Sequence, residues 1–296
     1  MISCVQASRT AAIENMKKLV FLVYLISFSA FASGQLTTIN PSITLYSEHY
    51  PNLHAKFKGT IVFENGSGTD MNEWKSNHQF FQCVQQMGSL FLYDRNGLGK
   101  SPPDLLLSRQ HPITGKLVSA NLLALLKQRH IKPPYLLVAH SYGAIYAGYF
   151  ALKYPYLVKG LLLVDPVPKS FHFSKELMQK YQSGVNEATK QSASYMYKHY
   201  KGSEAEVTYQ LLGFAESKRS IKQLGSINNS IPVIIISSTS MEKEKRIEED
   251  WYDSQKQWLN HNPNSKIMRV ISNHFIQLEQ PQTVCQQMKK IIAAIE

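Results

Sequence analysis

The stretch Leu136-Leu137-Val138-Ala139-His140-Ser141-Tyr142-Gly143-Ala144 decides the fold. An apolar run ends at once in a small residue, a serine and a glycine, and helix-forming residues follow. The pattern predicts a strand, a tight turn and a helix, with the Ser141 hydroxyl at the apex. A serine there lies beside the N-terminus of the next helix. The positive end of the helix dipole and its free N–H groups favour developing negative charge at that point. Such a turn is crowded, so the residues two before and two after the serine have to be small. Gly143 meets the demand, and Ala139 stands where the usual pattern has glycine. A Ser-x-Gly after an apolar run is common by chance, and the residues on both sides give it weight.

Apolar and β-branched runs predict strands over 42–46, 59–63, 89–93, 135–139, 161–164, 232–237 and 266–271. Helical patterns fill 72–87, 114–129, 142–154 and 284–295. Residues 33–56 read as an exposed lead-in followed by the first short strand. Strands alternating with helices imply an α/β fold, a mainly parallel central sheet flanked by helices on both faces. Residues 166–228 interrupt the alternation. They offer no strong strand, but helix-like patches at 175–181 and 187–200. They are expected as a helical cap insertion that divides the core into 33–165 and 229–296.

The chain of 296 residues, 44% apolar, has room for one large α/β domain or two small ones. Its net charge is +11. It contains no arginine-rich run and no interleaving of basic and aromatic residues, so no nucleic-acid partner is expected. Peripheral contact with an anionic membrane surface is the partner class that the charge leaves open. Met16-Lys17-Lys18, the apolar stretch 19–28 and Ala30-Phe31-Ala32 make a secretory signal, and Met16 is an alternative start of translation. Residues 1–32 are therefore expected as a signal peptide cleaved near Ala32, and the protein as periplasmic or secreted. An uncleaved anchor is the rival, although the stretch falls short of the roughly 20 residues of a comfortable span. Cleavage removes Arg9, Lys17, Lys18 and Glu14 and leaves a charge of +9. It also leaves Cys83 and Cys285, either paired in an oxidising compartment or separately buried as thiols. No metal-ligand spacing is present, and no cofactor is implied.

Ligands of such sheets bind beyond the carboxyl ends of the strands, so the residues just after each strand matter most. Ser141 is one. His274 is another, in the loop between the last strand and the final helix. An imidazole there can accept the serine proton during attack and return it to the leaving group. A carboxylate is needed to orient that imidazole. Asp165, at the end of the strand that follows the serine's helix, is the expected acid. Glu242 and Asp250, after the next strand, are the alternatives, although the run Glu242-Lys243-Glu244-Lys245-Arg246 reads as a solvated loop. An oxyanion hole needs two backbone N–H groups. Tyr142 supplies one, and Ser67 or Gly66, in the loop after the 59–63 strand, supplies the other.

With these pieces in order, the chain resembles the α/β-hydrolase superfamily, in its esterase/lipase/peptidase-like branch with a helical cap. The resemblance rests on Glu64-Asn65-Gly66-Ser67-Gly68, on Tyr93-Asp94-Arg95-Asn96-Gly97-Leu98-Gly99-Lys100-Ser101, on Ala139-His140-Ser141-Tyr142-Gly143, and on His274-Phe275 with Pro281. It covers residues 42–296 and departs from the family pattern at Ala139 and Asn65. It implies cofactor-free serine hydrolysis of an ester, amide or lactone. It also implies that the His140 side chain points away from the serine. Asp94 and Arg95 are expected to brace the loop beneath the site, and Trp74 to pack in the core. Phe171, Phe173, Tyr195, Tyr197 and Phe214 are expected around an apolar pocket under the cap. The function expected is an exported serine hydrolase that cleaves a carboxylic ester through an acyl-enzyme. Amide or lactone cleavage by the same residues is the alternative, and a non-catalytic ligand-binding homologue is the rival from another class.

Overall fold

The computed structural model describes residues 33–296, apart from 245 and 248. The expected signal peptide lies outside the described residues. Eight strands form one sheet: β1 (Ser33–Asn40), β2 (Ile43–Tyr50), β3 (Thr60–Glu64), β4 (Ser89–Tyr93), β5 (Tyr135–His140), β6 (Val158–Val164), β7 (Val233–Ser238) and β8 (Lys266–Val270). Their order is β1-β2-β4-β3-β5-β6-β7-β8. β1 pairs antiparallel with β2, and β2 with β4, while every pairing from β4 through β3 to β8 is parallel.

Parallel strands are covered on both faces, which is why the central ones are continuous apolar runs. Side chains alternate between the faces. On one face Leu137, Ala139, Leu161 and Leu163 meet α3 (Gly115–Gln128) and α4 (Gly143–Lys153) through Leu122, Leu125, Ile145 and Phe150. On the other, Leu136, Val138, Leu162 and Val164 meet α2 (His78–Gln85) and α11 (Pro281–Ile295) through Phe80, Val84, Met288 and Ile291. Cys83 and Cys285 join α2 to α11 as a disulfide.

Between β6 and β7 lie α5 (Lys175–Ala188), α6 (Ala193–His199) and α7 (Gly202–Leu224). Between β7 and β8 lie the short α8 (Ser240–Glu244) and α9 (Trp251–Gln255), and α10 (Ile276–Glu279) precedes α11. Among the described residues no helix is long and apolar enough to cross a membrane.

The structure departs from the sequence reading in several elements. The lead-in is largely the strand β1, an exposed edge strand that needs no apolar alternation because it pairs on one side only. The helix expected over 72–87 is broken into α1 (Asn72–Lys75) and α2, because the Asn77 side chain accepts the Phe80 N–H and starts a new helix. The longest helix among the described residues, α7, has no counterpart in the sequence reading. Its inward face carries Glu206, Thr208, Gln210 and Ser217, and these buried polar residues hide the apolar periodicity.

The parallel register gathers the expected residues at one rim. Glu64 aligns with Ala139, His140 with Val164, and Val164 with Ile236. The segments that begin at Asn65, Ser141, Asp165 and Thr239 therefore emerge side by side. Behind that rim Gly148 of α4 faces the buried Trp258 ring, and a Cβ there would stand 2.1 Å from a ring carbon. Overpacking of this kind costs about 1–3 kcal/mol, against roughly 1 kcal/mol of improved helix propensity. Gly148→Ala is expected to lose about 1–2 kcal/mol and to lower the thermal midpoint. A midpoint equal to or above that of the parent would contradict this packing.

Candidate active site

Ser141 sits between β5 and α4 with φ of 53°, a left-handed conformation rarely adopted by residues other than glycine. Its N–H donates to the Val164 carbonyl and its carbonyl accepts from the Val167 N–H, both at 3.0 Å. Gly143 permits the turn. A Cβ there would lie 2.5 Å from the Asn65 carbonyl oxygen and 2.8 Å from that of Glu64, and backbone cannot give way. Ala139 is fully buried in β5, so the strand accommodates its methyl.

The Ser141 Oγ lies 2.8 Å from His274 Nε2, and His274 Nδ1 lies 2.7 Å from Asp165 Oδ2. A carboxylate only accepts, which assigns the proton to Nδ1 and leaves Nε2 as an acceptor for the serine hydroxyl. Asp165 is fully buried and takes four further donors: the Ser238 N–H at 2.9 Å, the Ser238 hydroxyl at 2.5 Å, the Trp251 indole N–H at 2.7 Å and the Gln255 amide at 3.3 Å. Burial pushes its pKa up, but the bonds from His274 and Ser238 outweigh that and hold the carboxyl below the usual aspartate value. For His274, burial favours the neutral ring, and the charges of His140 and Arg246 act the same way. Together they prevail over the bond to Asp165, and His274 stays below the ordinary histidine value.

Of the alternative acids, Glu242 pairs with Arg269 at 2.9 Å, and Asp250 caps α9 by accepting the Asp253 N–H. Neither meets His274. The loop after β3 divides its N–H groups among different acceptors. The Gly66 N–H donates to Glu73 Oε2 at 3.0 Å, which corrects the expectation that it is free to bind substrate. The Gly68 N–H donates to Glu206 Oε2 at 2.6 Å, and the Ser67 hydroxyl to Gln210. The N–H groups of Ser67 and Tyr142 find no acceptor among the described residues, and both residues line the cavity that holds Ser141.

That cavity measures about 340 Å³. Phe173, Leu177, Tyr181, Val207, Leu211 and Trp251 make most of its wall apolar, and Gln210, Glu244, Arg246 and Asn273 are among its polar members. Of the five aromatic residues expected there, only Phe173 reaches it. Phe171 and Phe214 stack behind Phe173, Tyr195 stacks on His199, and Tyr197 stacks on Tyr209. Trp74 is fully buried against Phe63 and Phe80, as expected of a core residue. Asp94 accepts the Met71 and Lys100 N–H groups. Arg95 bonds the Asn65 and Gly66 carbonyls at 2.8 and 2.6 Å and pairs with Glu64 and Glu206 at 2.9 and 2.6 Å. Burial pushes Glu64 up to about 7 against the pull of Arg95. Ser238, Trp251, Glu206, Gln210 and Glu73 were missed from the sequence, since each acts across 7 to 143 residues of chain and none belongs to a local motif. Among the described residues no group of three His, Cys, Asp or Glu side chains could hold a metal ion.

No family model matches the chain. The uncharacterized protein YqjL of Bacillus subtilis is 30% identical over 229 residues, spanning 76% of this chain and 80% of that protein. An AB hydrolase superfamily protein of Gibberella zeae is 26% identical over 121 residues, 40% of this chain and 36% of that one. The crystal structure of the carboxylesterase CesB from Bacillus subtilis superposes with a TM-score of 0.60 at 14% identity, covering 89% of this chain and 92% of that chain. Other structures of the same fold bear the names of an epoxide hydrolase, haloalkane dehalogenases and an enol-lactonase.

Arg95 neutralises two buried carboxylates at once. Arg95→Met leaves Glu64 and Glu206 without it and is expected to cost about 3–5 kcal/mol in urea unfolding. Unpaired buried carboxyls have folded pKa values above their unfolded ones. Their contribution is intact below the unfolded value and is lost as pH rises through the folded one. The penalty should therefore be larger at pH 8 than at pH 5, and an equal penalty at both would argue against this assignment.

Proposed function

We propose that this chain, which carries the α/β-hydrolase fold, is a serine hydrolase of small molecules acting on carboxylic esters. The continuous path from Ser141 through His274 to Asp165, with contacts of 2.8 and 2.7 Å, carries the reading. Ser141 Oγ attacks the ester carbonyl carbon while His274 Nε2 takes its proton. Asp165 keeps the ring oriented and stabilises the imidazolium that forms. The N–H groups of Tyr142 and Ser67 receive the carbonyl oxygen as it becomes an oxyanion. The tetrahedral intermediate collapses, His274 hands its proton to the departing alcohol, and Ser141 is left acylated. Water, deprotonated by His274, then attacks the acyl carbon, and the second intermediate expels Ser141 with its proton restored.

The apolar wall of the cavity supports an uncharged ester with a hydrocarbon group of modest size. The insertion over 166–228 acts in this reading as the cap of that pocket. Export rests on the leader-like residues 16–32. The Cys83–Cys285 disulfide supports an oxidising compartment.

A fluorophosphonate probe is expected to label the wild-type protein and not Ser141→Ala. Equal labelling of both would overturn the nucleophile. Asp165→Asn should lower kcat by about 10⁴-fold on ester substrates, because the ring then takes the wrong tautomer. A panel of esters, amides and lactones left wholly untouched would end the reading in favour of a ligand-binding homologue. Catalysis needs neutral His274, whose pKa is held below the ordinary value near 6.5. The acid limb of kcat/KM is therefore expected below that pH, and a limb above it would contradict the geometry.

A further inference from the structure

His140 has no part in the steps above, yet it is one of the most constrained side chains in the molecule. It is 1% exposed. Its Nδ1 lies 2.6 Å from Glu73 Oε1, off the line of a straight hydrogen bond. Its Nε2 lies 2.9 Å from the backbone carbonyl of His274. A carbonyl oxygen only accepts, so Nε2 carries a hydrogen. Glu73 in turn has donors on both oxygens besides His140: the Gly66 N–H at 3.0 Å, the Gln277 amide at 3.1 Å and the Thr69 hydroxyl. A carboxyl group that collects donors in this number is held ionised. Opposite an ionised Glu73, Nδ1 also carries its hydrogen, and His140 is an imidazolium. The ring centroids of His140 and His274 are 4.6 Å apart.

We propose that His140, carried as a buried imidazolium on Glu73, is the positioning residue of the active site, locking the His274 loop to the loop of Gly66 and Ser67. The inference rests on the serine-hydrolase reading for what is being positioned, but not for the charge state of His140. One bond fixes the backbone of the residue that exchanges protons with Ser141. The other runs through Glu73 to the Gly66 N–H, next to the N–H that receives the oxyanion, and to Gln277 on α10, just after His274. The reacting base and one oxyanion donor are thereby indexed to a single side chain that directly precedes the nucleophile.

The pair has a second effect. The ionisable groups that face His140 are Glu73 from α1, Asp165 at the end of β6 and His274 itself, while the Trp74 and Phe275 rings close the remaining sides. Burial disfavours the charged ring, but Glu73, the His274 carbonyl and, more weakly, Asp165 prevail and raise it above the ordinary histidine value. A fixed positive charge so close opposes protonation of His274, in the same direction as Arg246. The neutral base then persists to lower pH than an isolated histidine would allow.

NMR of the wild-type protein with ¹⁵N-labelled histidine rings tests the charge without altering a residue. Both ring nitrogens of His140 are expected to stay protonated from pH 5.5 to 8, while His274 titrates alone. A His140 ring that becomes a neutral tautomer near pH 6.5 overturns the proposal. The positioning role is tested with His140→Gln and Glu73→Gln, each read as a pH profile of ester turnover and of fluorophosphonate labelling. In both variants kcat is expected to fall about 10- to 100-fold with KM little changed, as for a small misplacement of the base. The acid limb should move to higher pH, because the charge opposing protonation of His274 is gone. An acid limb unmoved in both variants refutes the role, whatever the loss of rate. A wild-type protein that neither labels nor turns over any ester defeats the serine-hydrolase reading instead. The NMR result on His140 is unaffected by that outcome.

Discussion

A backbone conformation that costs free energy is held in place at Ser141, and the arrangement of the rim depends on it. A left-handed residue other than glycine is disfavoured by roughly 1–2 kcal/mol, and the rim contains two, Ser141 at φ 53° and Asp165 at φ 45°. Each is fastened to the neighbouring strand. The Ser141 N–H bonds to Val164 in β6, and the Asp165 N–H bonds to Ile236 in β7. The bare α-carbon of Gly143 lets α4 press against the Asn65 carbonyl. The strain is thus spread over four adjacent strands, and it turns the two side chains out of the sheet towards His274.

Around that rim lies an unusual density of buried charge. Glu64, Glu73, Asp165 and Glu206 are all buried, and each meets Arg95 or a histidine ring. Dry ion pairs add little net stability over apolar packing, because desolvation consumes most of the attraction. What they do enforce is geometry. A carboxylate with donors on both oxygens tolerates few positions, and each of these four ties together segments distant in the sequence.

The elements most legible in the sequence are those whose signal is local. Central strands announce themselves as apolar runs, and the crowded Ala139–Gly143 turn announces Ser141. His274 could be singled out because it follows the last apolar run and precedes a helix. Asp165 was harder. The segment after β7 offers no aspartate at a suitable distance, and the parallel register of β5 with β6 is what sets Asp165 beside Ser141. Features that depend on distant partners were not legible. Gly66 looks like a free donor until Glu73 folds beneath it. The helix α7 looks aperiodic because its inward face carries Glu206, Thr208, Gln210 and Ser217, and Glu206 meets its partners, Arg95 and the Gly68 N–H, only in the folded chain. The five aromatic residues between 166 and 215 carry no mark of which face they present, and only Phe173 reaches the cavity.

The long helix α7 does more than roof the cavity. Its Glu206 grips the Gly68 N–H and the Arg95 guanidinium, and its Gln210 takes the Ser67 hydroxyl. The loop of Ser67, which lines the cavity beside Ser141, is thus suspended from the insertion as well as from the sheet. A chain trimmed to its sheet and flanking helices would keep Ser141, His274 and Asp165, yet the Ser67 segment would hang by one end. Roof and floor of this pocket are a single assembly, and divergence in one is answerable to the other.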